Sequence, residues 1–195
     1  ILVGTVLELV PTLTAHEYVK TTPGHRPYSG LELEGRDLYV REGCYVCHSQ
    51  MIRPMLGETL RYGKPSTLED SAFDHPFQWG SKRTGPDLAR VGGKYPDLWH
   101  YQHMLDPRAI TRNSLMPAYS WMGKDKTRFD GIKGKLSAMR SLGIPYTDAE
   151  VENAVSDARA QAEAIAQKLV EQGAPAGLAD KEIIALIAYL QSLGR

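Results

Sequence analysis

Wherever the order of apolar and polar residues along the 195-residue chain is regular, its period is helical. The clearest run follows Pro145. Thr147, Asp148, Ala149 and Glu150 fit a capping box, in which the threonine hydroxyl caps an amide three residues on and the glutamate reaches back. Val151, Val155, Ala158, Ala162, Ile165 and Leu169 then recur at alternating four- and three-residue steps until Gly173 stops the pattern. This spacing predicts one long amphipathic helix with a small-residue stripe. A second helix is predicted from about Asp180 to Leu193, with Ile183, Leu186, Ile187 and Leu190 on one face. Upstream, Leu38 and Tyr39 mark the buried face of a helix over Gly35–Val46. Pro96 opens a short helix that Asp106 and Pro107 end. Residues 53–87 are rich in Gly, Pro and Ser and hold no period, so a long loop is expected there, and such a length usually serves a function. With almost no alternating β-pattern, the fold class is mainly α.

The opening ILVGTVLELVP is apolar apart from Glu8, and TAHEYVKTTPGHRP after it is polar. Ten helical residues rise about 15 Å, roughly half a bilayer core. Residues 1–13 therefore read either as the C-terminal part of a membrane anchor helix or as a buried N-terminal element. Residues 14–30 read as a linker, since TTPGHRPYS (21–29) holds two prolines and a glycine.

Apolar residues make up 42% of the chain, enough for a sizeable core. Lys plus Arg number 23 and Asp plus Glu number 23, so the chain has no electrostatic footprint for nucleic acid. Two cysteines cannot build a disulfide scaffold. Both lie in GCYVCHSQMIRP (43–54), three apart, with His48 directly after the second. A zinc site would need a second pair such as His100 and His103, and would leave His48 without a role. A thioredoxin-like dithiol would need a βαβ setting. Covalent haem c uses every position: Cys44 and Cys47 meet the two vinyl groups from one face, and His48 turns its imidazole to the iron.

A sixth iron ligand is then sought among His16, His25, His75, His100, His103, Met51, Met55, Met104, Met116, Met122 and Met139. Met51 and Met55 lie too near His48 in sequence to reach the opposite haem face. Met104 is expected on a helix, in a packing role. Met116 stands in the loop NSLMPAY with Pro117 fixing the backbone behind it, which makes it the preferred candidate, with His100 and His103 as competitors. His/Met ligation leaves no open site for oxygen and favours electron transfer over catalysis. The other nitrogen of His48 needs an acceptor, and Pro86 in TGPDLARVGG offers a free carbonyl in a rigid turn. Arg53, Lys82, Arg83 and Arg90 flank these motifs as candidate partners of haem propionates or of an acidic neighbouring subunit.

CYVCH, GPDL, MPAY and the terminal KEIIALIAYLQSL together resemble a class I cytochrome c. With LELVP (7–11), EGRDLYVREGCYVCHSQMIRP (34–54), DHPFQWGSKRTGPDLARVGGKY (74–95), DPRAITRNSLMPAY (106–119) and LGIPYT (142–147), the chain is similar to the mono-haem CcoO/FixO subunit of cbb3-type haem–copper oxidases. The resemblance implies a periplasmic cytochrome c domain over 31–195, with insertions at about 53–84 and 120–178, carried on a transmembrane helix. It implies one haem c on Cys44 and Cys47 with His48 and Met116 as axial ligands. Electrons would come from a di-haem cytochrome c subunit and go to haem b of the catalytic haem b/copper subunit; the alternative is a haem c subunit of another membrane complex, such as a nitric oxide reductase, or a periplasmic electron shuttle. The chain would have no small-molecule substrate of its own. The helix after Pro145 is longer than the family leads one to expect.

Overall fold

The computed structural model describes residues 2–18, 25–80 and 82–194. Among them nine α-helices follow one another and no β-strand forms. They are α1 (Leu2–Tyr18), α2 (Gly30–Arg41), α3 (Leu56–Tyr62), α4 (Asp97–Leu105), α5 (Pro107–Ile110), α6 (Ile132–Ser141), α7 (Asp148–Glu152), α8 (Ala154–Glu171) and α9 (Glu182–Ser192). The mainly helical fold is consistent with a cytochrome c.

The centre is the crossing of α2 and α9. Every residue of α9 from Ile183 to Leu190 is buried, because α2, α4 and α8 each pack against it. A helix that is apolar on all sides has to be enclosed in this way. The predicted four-residue face of α9 is therefore only part of its buried surface. Gly35 sets the closeness of the crossing. A Cβ placed on it would lie 1.9 Å from the Ala185 carbonyl oxygen and 2.8 Å from the Tyr189 Cβ.

Helix α2 begins five residues before the predicted Gly35 because Ser29 caps it. The Ser29 hydroxyl accepts from the Glu32 amide at 3.2 Å, and the Glu32 carboxylate accepts from the Ser29 amide at 2.7 Å. It also ends sooner, at Arg41, since Gly43 takes a left-handed φ of 70°. Three of its charged residues are buried with partners: Glu32 binds Arg26, Glu34 binds Lys135, and Arg36 binds Asp74 at 2.9 Å. Arg36 and Asp74 have side chains only 3% and 5% exposed. A buried ion pair is tolerable only when its remaining groups are bonded too. Here Tyr28 donates to Asp74 and Arg36 donates to the Pro76 carbonyl.

Three further expectations change. The helix after Pro145 is not continuous. The Thr147/Glu150 capping box forms as predicted, but Asn153 (φ −88°, ψ 2°) interrupts and separates α7 from α8. The break rotates the stripe so that Ala154, Ala158, Ala162 and Ala166 are buried at even four-residue steps, while Val155 and Ile165 are half-buried. Residues 53–87 are not without elements, since they contain α3 and a 3-10 turn at Leu68–Ser71. Helix α1 runs through Pro11 to Tyr18 with exposed Leu2, Val3 and Leu7, and no described helix is long and apolar enough to cross a membrane. Of the expected linker, residues 19–24 lie outside the described residues.

Replacing Gly35 with alanine forces α2 away from α9, at a cost of about 1–3 kcal/mol typical of overpacking. Urea unfolding of the Gly35→Ala variant is expected to show a lower midpoint with an unchanged slope. An unchanged midpoint would mean that the crossing is not tight.

Candidate functional site

After Gly43 turns the chain, Cys44–Val46 form a single 3-10 turn rather than the first turn of a longer helix. The Cys44 carbonyl accepts from both the Cys47 amide (3.1 Å) and the His48 amide (2.9 Å), which sets two thiols and an imidazole on one short bend. Neither cysteine is in a disulfide. Burial pushes the Cys44 thiol up to about 12, so it is protonated and unlike a metal-binding or nucleophilic thiolate. Among the described residues no group of three or more His, Cys, Asp and Glu is arranged to hold a metal ion, so the thiols and the α4 histidines do not form a zinc tetrad.

A second stretch of backbone fixes the bend. The Gly85 amide donates to the Cys47 carbonyl at 2.9 Å, and the Leu88 amide donates to the Ser49 carbonyl at 2.8 Å. Between these two bonds, the Pro86 carbonyl lies 2.8 Å from His48 Nδ1. A carbonyl can only accept, so Nδ1 carries the proton and Nε2 keeps its lone pair. Burial lowers the proton affinity of His48, favouring this neutral form. The imidazole rests directly on Gly85, where a Cβ would lie 2.2 Å from His48 Cε1 and 2.7 Å from Nδ1.

The loop that presents Pro86 is itself anchored by charge. Asp87 accepts from the Ser49 hydroxyl (2.6 Å) and from the amides of Met51 and Ala89 (both 2.9 Å). Arg83 donates to Ser49, to the Met51 carbonyl and to Glu58 of α3. Hydrogen bonding from Arg83 and Arg53, together with the charge of Arg83, holds the Glu58 carboxyl down at about 2. The set of Ser49, Glu58, Arg83 and Asp87 is not legible as a unit in the sequence. Its one sequence signal is an aspartate directly after Pro86.

Cys44, Cys47, His48, Pro86 and Met116 line one cavity of about 680 Å³, within the range of small-molecule sites. Val91, Leu186 and Leu190 give the cavity an apolar lining, and Tyr39 lines it too while its hydroxyl donates to the His48 carbonyl at 3.2 Å. Met116 sits half-buried on a loop tied back to α4 by a bond from the Tyr119 amide to the Met104 carbonyl at 2.8 Å. Arg90 lines the cavity with Nε buried and unpartnered, while its Nη2 lies 3.3 Å from Asp70. Arg53 lies outside it, in an adjoining recess, paired with Glu58. Lys82 is exposed. His100, His103 and Met104 also reach the cavity, whereas Met51 and His75 do not line it. Met122 and Met139 are core, Met55 is exposed, and His25 packs on Phe73. The side chain of His16 lies outside the described residues.

Two thiols, an imidazole with a free Nε2, a thioether and buried polar atoms without partners around an apolar space fit an iron macrocycle. The whole chain, residues 1–195, matches the family described as cytochrome c oxidase, mono-haem subunit/FixO. The chain belongs to this family. No curated protein matches it.

Gly85→Ala is expected to push the His48 ring off the Pro86 carbonyl, so urea unfolding of the variant should show a lower midpoint; an unchanged midpoint would contradict the packing. A second outcome concerns pH. His100 is 1% exposed, and burial lowers its proton affinity from the ordinary 6.5 to about 4. Between those values the unfolded chain holds a proton there that the folded chain lacks. Stability is therefore complete above about pH 6.5 and declines as pH falls towards 4. Urea titrations across this window should show a shallower decline for His100→Phe, and an identical decline would contradict the assignment.

Proposed function

Within the cytochrome c oxidase family to which the chain belongs, we propose that it is a one-haem electron relay. It holds one haem c covalently through Cys44 and Cys47, with His48 and Met116 as axial ligands. It takes electrons from a di-haem cytochrome c subunit and passes them to haem b of the catalytic haem b/copper subunit of a cbb3-type oxidase. The observation that carries this reading is the His48 imidazole, hydrogen-bonded to Pro86 with Nε2 left free, on a cavity it shares with Cys44, Cys47 and Met116.

A bound haem supplies a one-electron couple. The residues of this chain do the rest. Pro86 fixes the tautomer and the plane of His48, and Gly85 lets the ring approach. Met116 would hold a bound haem iron from the side opposite His48 and leave no open position for oxygen, so oxygen reduction is assigned to the complex rather than to this chain. Arg90, with its unpartnered Nε, is assigned to a haem carboxylate. The apolar side chains of Val91, Leu186 and Leu190 in the cavity lining would lie against a bound haem and limit its contact with water.

The exposed apolar side chains of α1, among them Leu2, Val3, Leu7 and Leu9, support a membrane contact at this end. We assign the protein to the bacterial inner membrane with the haem domain on the periplasmic side, as part of the respiratory chain.

Denaturing gels of the purified oxidase should show haem staining at the mass of this chain, and pyridine haemochrome analysis should give one haem with two thioether links. The Cys44→Ala/Cys47→Ala variant should lose the stain. A colourless chain, or a reduced haem in this subunit that binds carbon monoxide promptly, would contradict the reading.

A further inference from the structure

Two imidazoles on α4 have no part in the relay as described. His100 and His103 stand one turn apart, and both line the cavity shared by His48 and Met116. Their nitrogens meet different surroundings. Both ring nitrogens of His100 are buried without a hydrogen-bond partner, and its ring stands edge-on to Trp99 at 5.3 Å. Of His103 only Nδ1 is shut in this way, which leaves Nε2 as its more open nitrogen. The His103 ring lies flat on Trp99, with centroids 4.5 Å apart and planes 16° from parallel.

Met116 is held less firmly. It lies on a loop beside Leu115, which is 83% exposed, and its amide bonds only the nearby Ser114 hydroxyl at 3.2 Å. A thioether on a loop therefore shares its cavity with an imidazole fixed by a helix and a ring stack.

We propose that His103 is the reserve axial ligand of the haem iron: when the Met116 sulfur leaves the iron, His103 Nε2 replaces it. The proposal rests on the reading of His48 and Met116 as the resting ligands. One iron–sulfur bond breaks and one iron–nitrogen bond forms, with no change in electron count. An imidazole coordinates through a neutral nitrogen, so the exchange replaces one neutral ligand with another.

The same geometry explains why His103 is second choice. A ligating imidazole is strengthened when its other N–H has an acceptor. His48 has the Pro86 carbonyl at 2.8 Å, whereas His103 Nδ1 has no partner. The exchange keeps the sixth position closed to oxygen while lowering the reduction potential, since two histidines give a lower potential than histidine with methionine. It would slow the relay without opening it to side reactions.

The test uses the assembled oxidase carrying Met116→Ala, alone and with His103→Phe, read by near-infrared magnetic circular dichroism and carbon monoxide binding. The single variant is expected to give a low-spin haem c with two nitrogen ligands that resists carbon monoxide. The double variant is expected to become high-spin and to bind it promptly. A high-spin single variant overturns the proposal, and so does a low-spin signature that survives in the double variant. If Met116→Ala does not retain haem, the unaltered chain and His103→Phe are compared in denaturant just below unfolding. The two-nitrogen signature should then arise only where His103 is present, and its appearance in both overturns the proposal. An unaltered oxidase whose haem c lacks the sulfur-to-iron charge-transfer band would instead sink the reading of Met116 itself.

Discussion

The hydrogen bond between His48 and the Pro86 carbonyl is the constraint on which the site depends. It joins two segments 38 residues apart and settles which imidazole nitrogen is free. Without an acceptor at Nδ1, the ring could rotate or change tautomer, and the lone pair on Nε2 would not be directed. The two flanking backbone bonds, Gly85 to Cys47 and Leu88 to Ser49, make this one contact part of a short ladder.

Much of the remaining structure holds that ladder in place. Asp87 and Arg83 clamp its two sides together, and Glu58 extends the clamp to α3. On the inner side, Gln50 and Tyr189 exchange hydrogen bonds at 2.9 and 3.2 Å, which ties the segment after His48 to the enclosed helix α9. Tyr39 of α2 supports the His48 carbonyl. The α2–α9 crossing thus serves the site through named polar contacts as well as through apolar burial.

Some of this is legible in the sequence, and the rest is hidden there for physical reasons. The C-x-x-C-H spacing, the Met–Pro loop and the Gly-Pro turn are local patterns, and the structure brings Cys44, Cys47, His48, Pro86 and Met116 to one cavity. The terminal helix and the Thr147 cap are also visible, because each is set by neighbours in sequence. Helix α2 begins earlier than expected, since its buried Glu32 and Glu34 read as surface until their partners are known, and it ends earlier because Gly43 turns the chain. The break at Asn153 lies inside an otherwise good apolar period. Arg53 and Arg83 look like cofactor contacts in the sequence, and only the fold shows that both are engaged by Glu58, 5 and 25 residues away.

The most direct test of the central claim is a cryo-electron microscopy map of the assembled oxidase at side-chain detail. The account predicts density continuous from the sulfurs of Cys44 and Cys47 into a macrocycle, with His48 on one axial side, still bonded to the Pro86 carbonyl, and Met116 on the other. A macrocycle outside this cavity, or an iron not bound by His48, would contradict it.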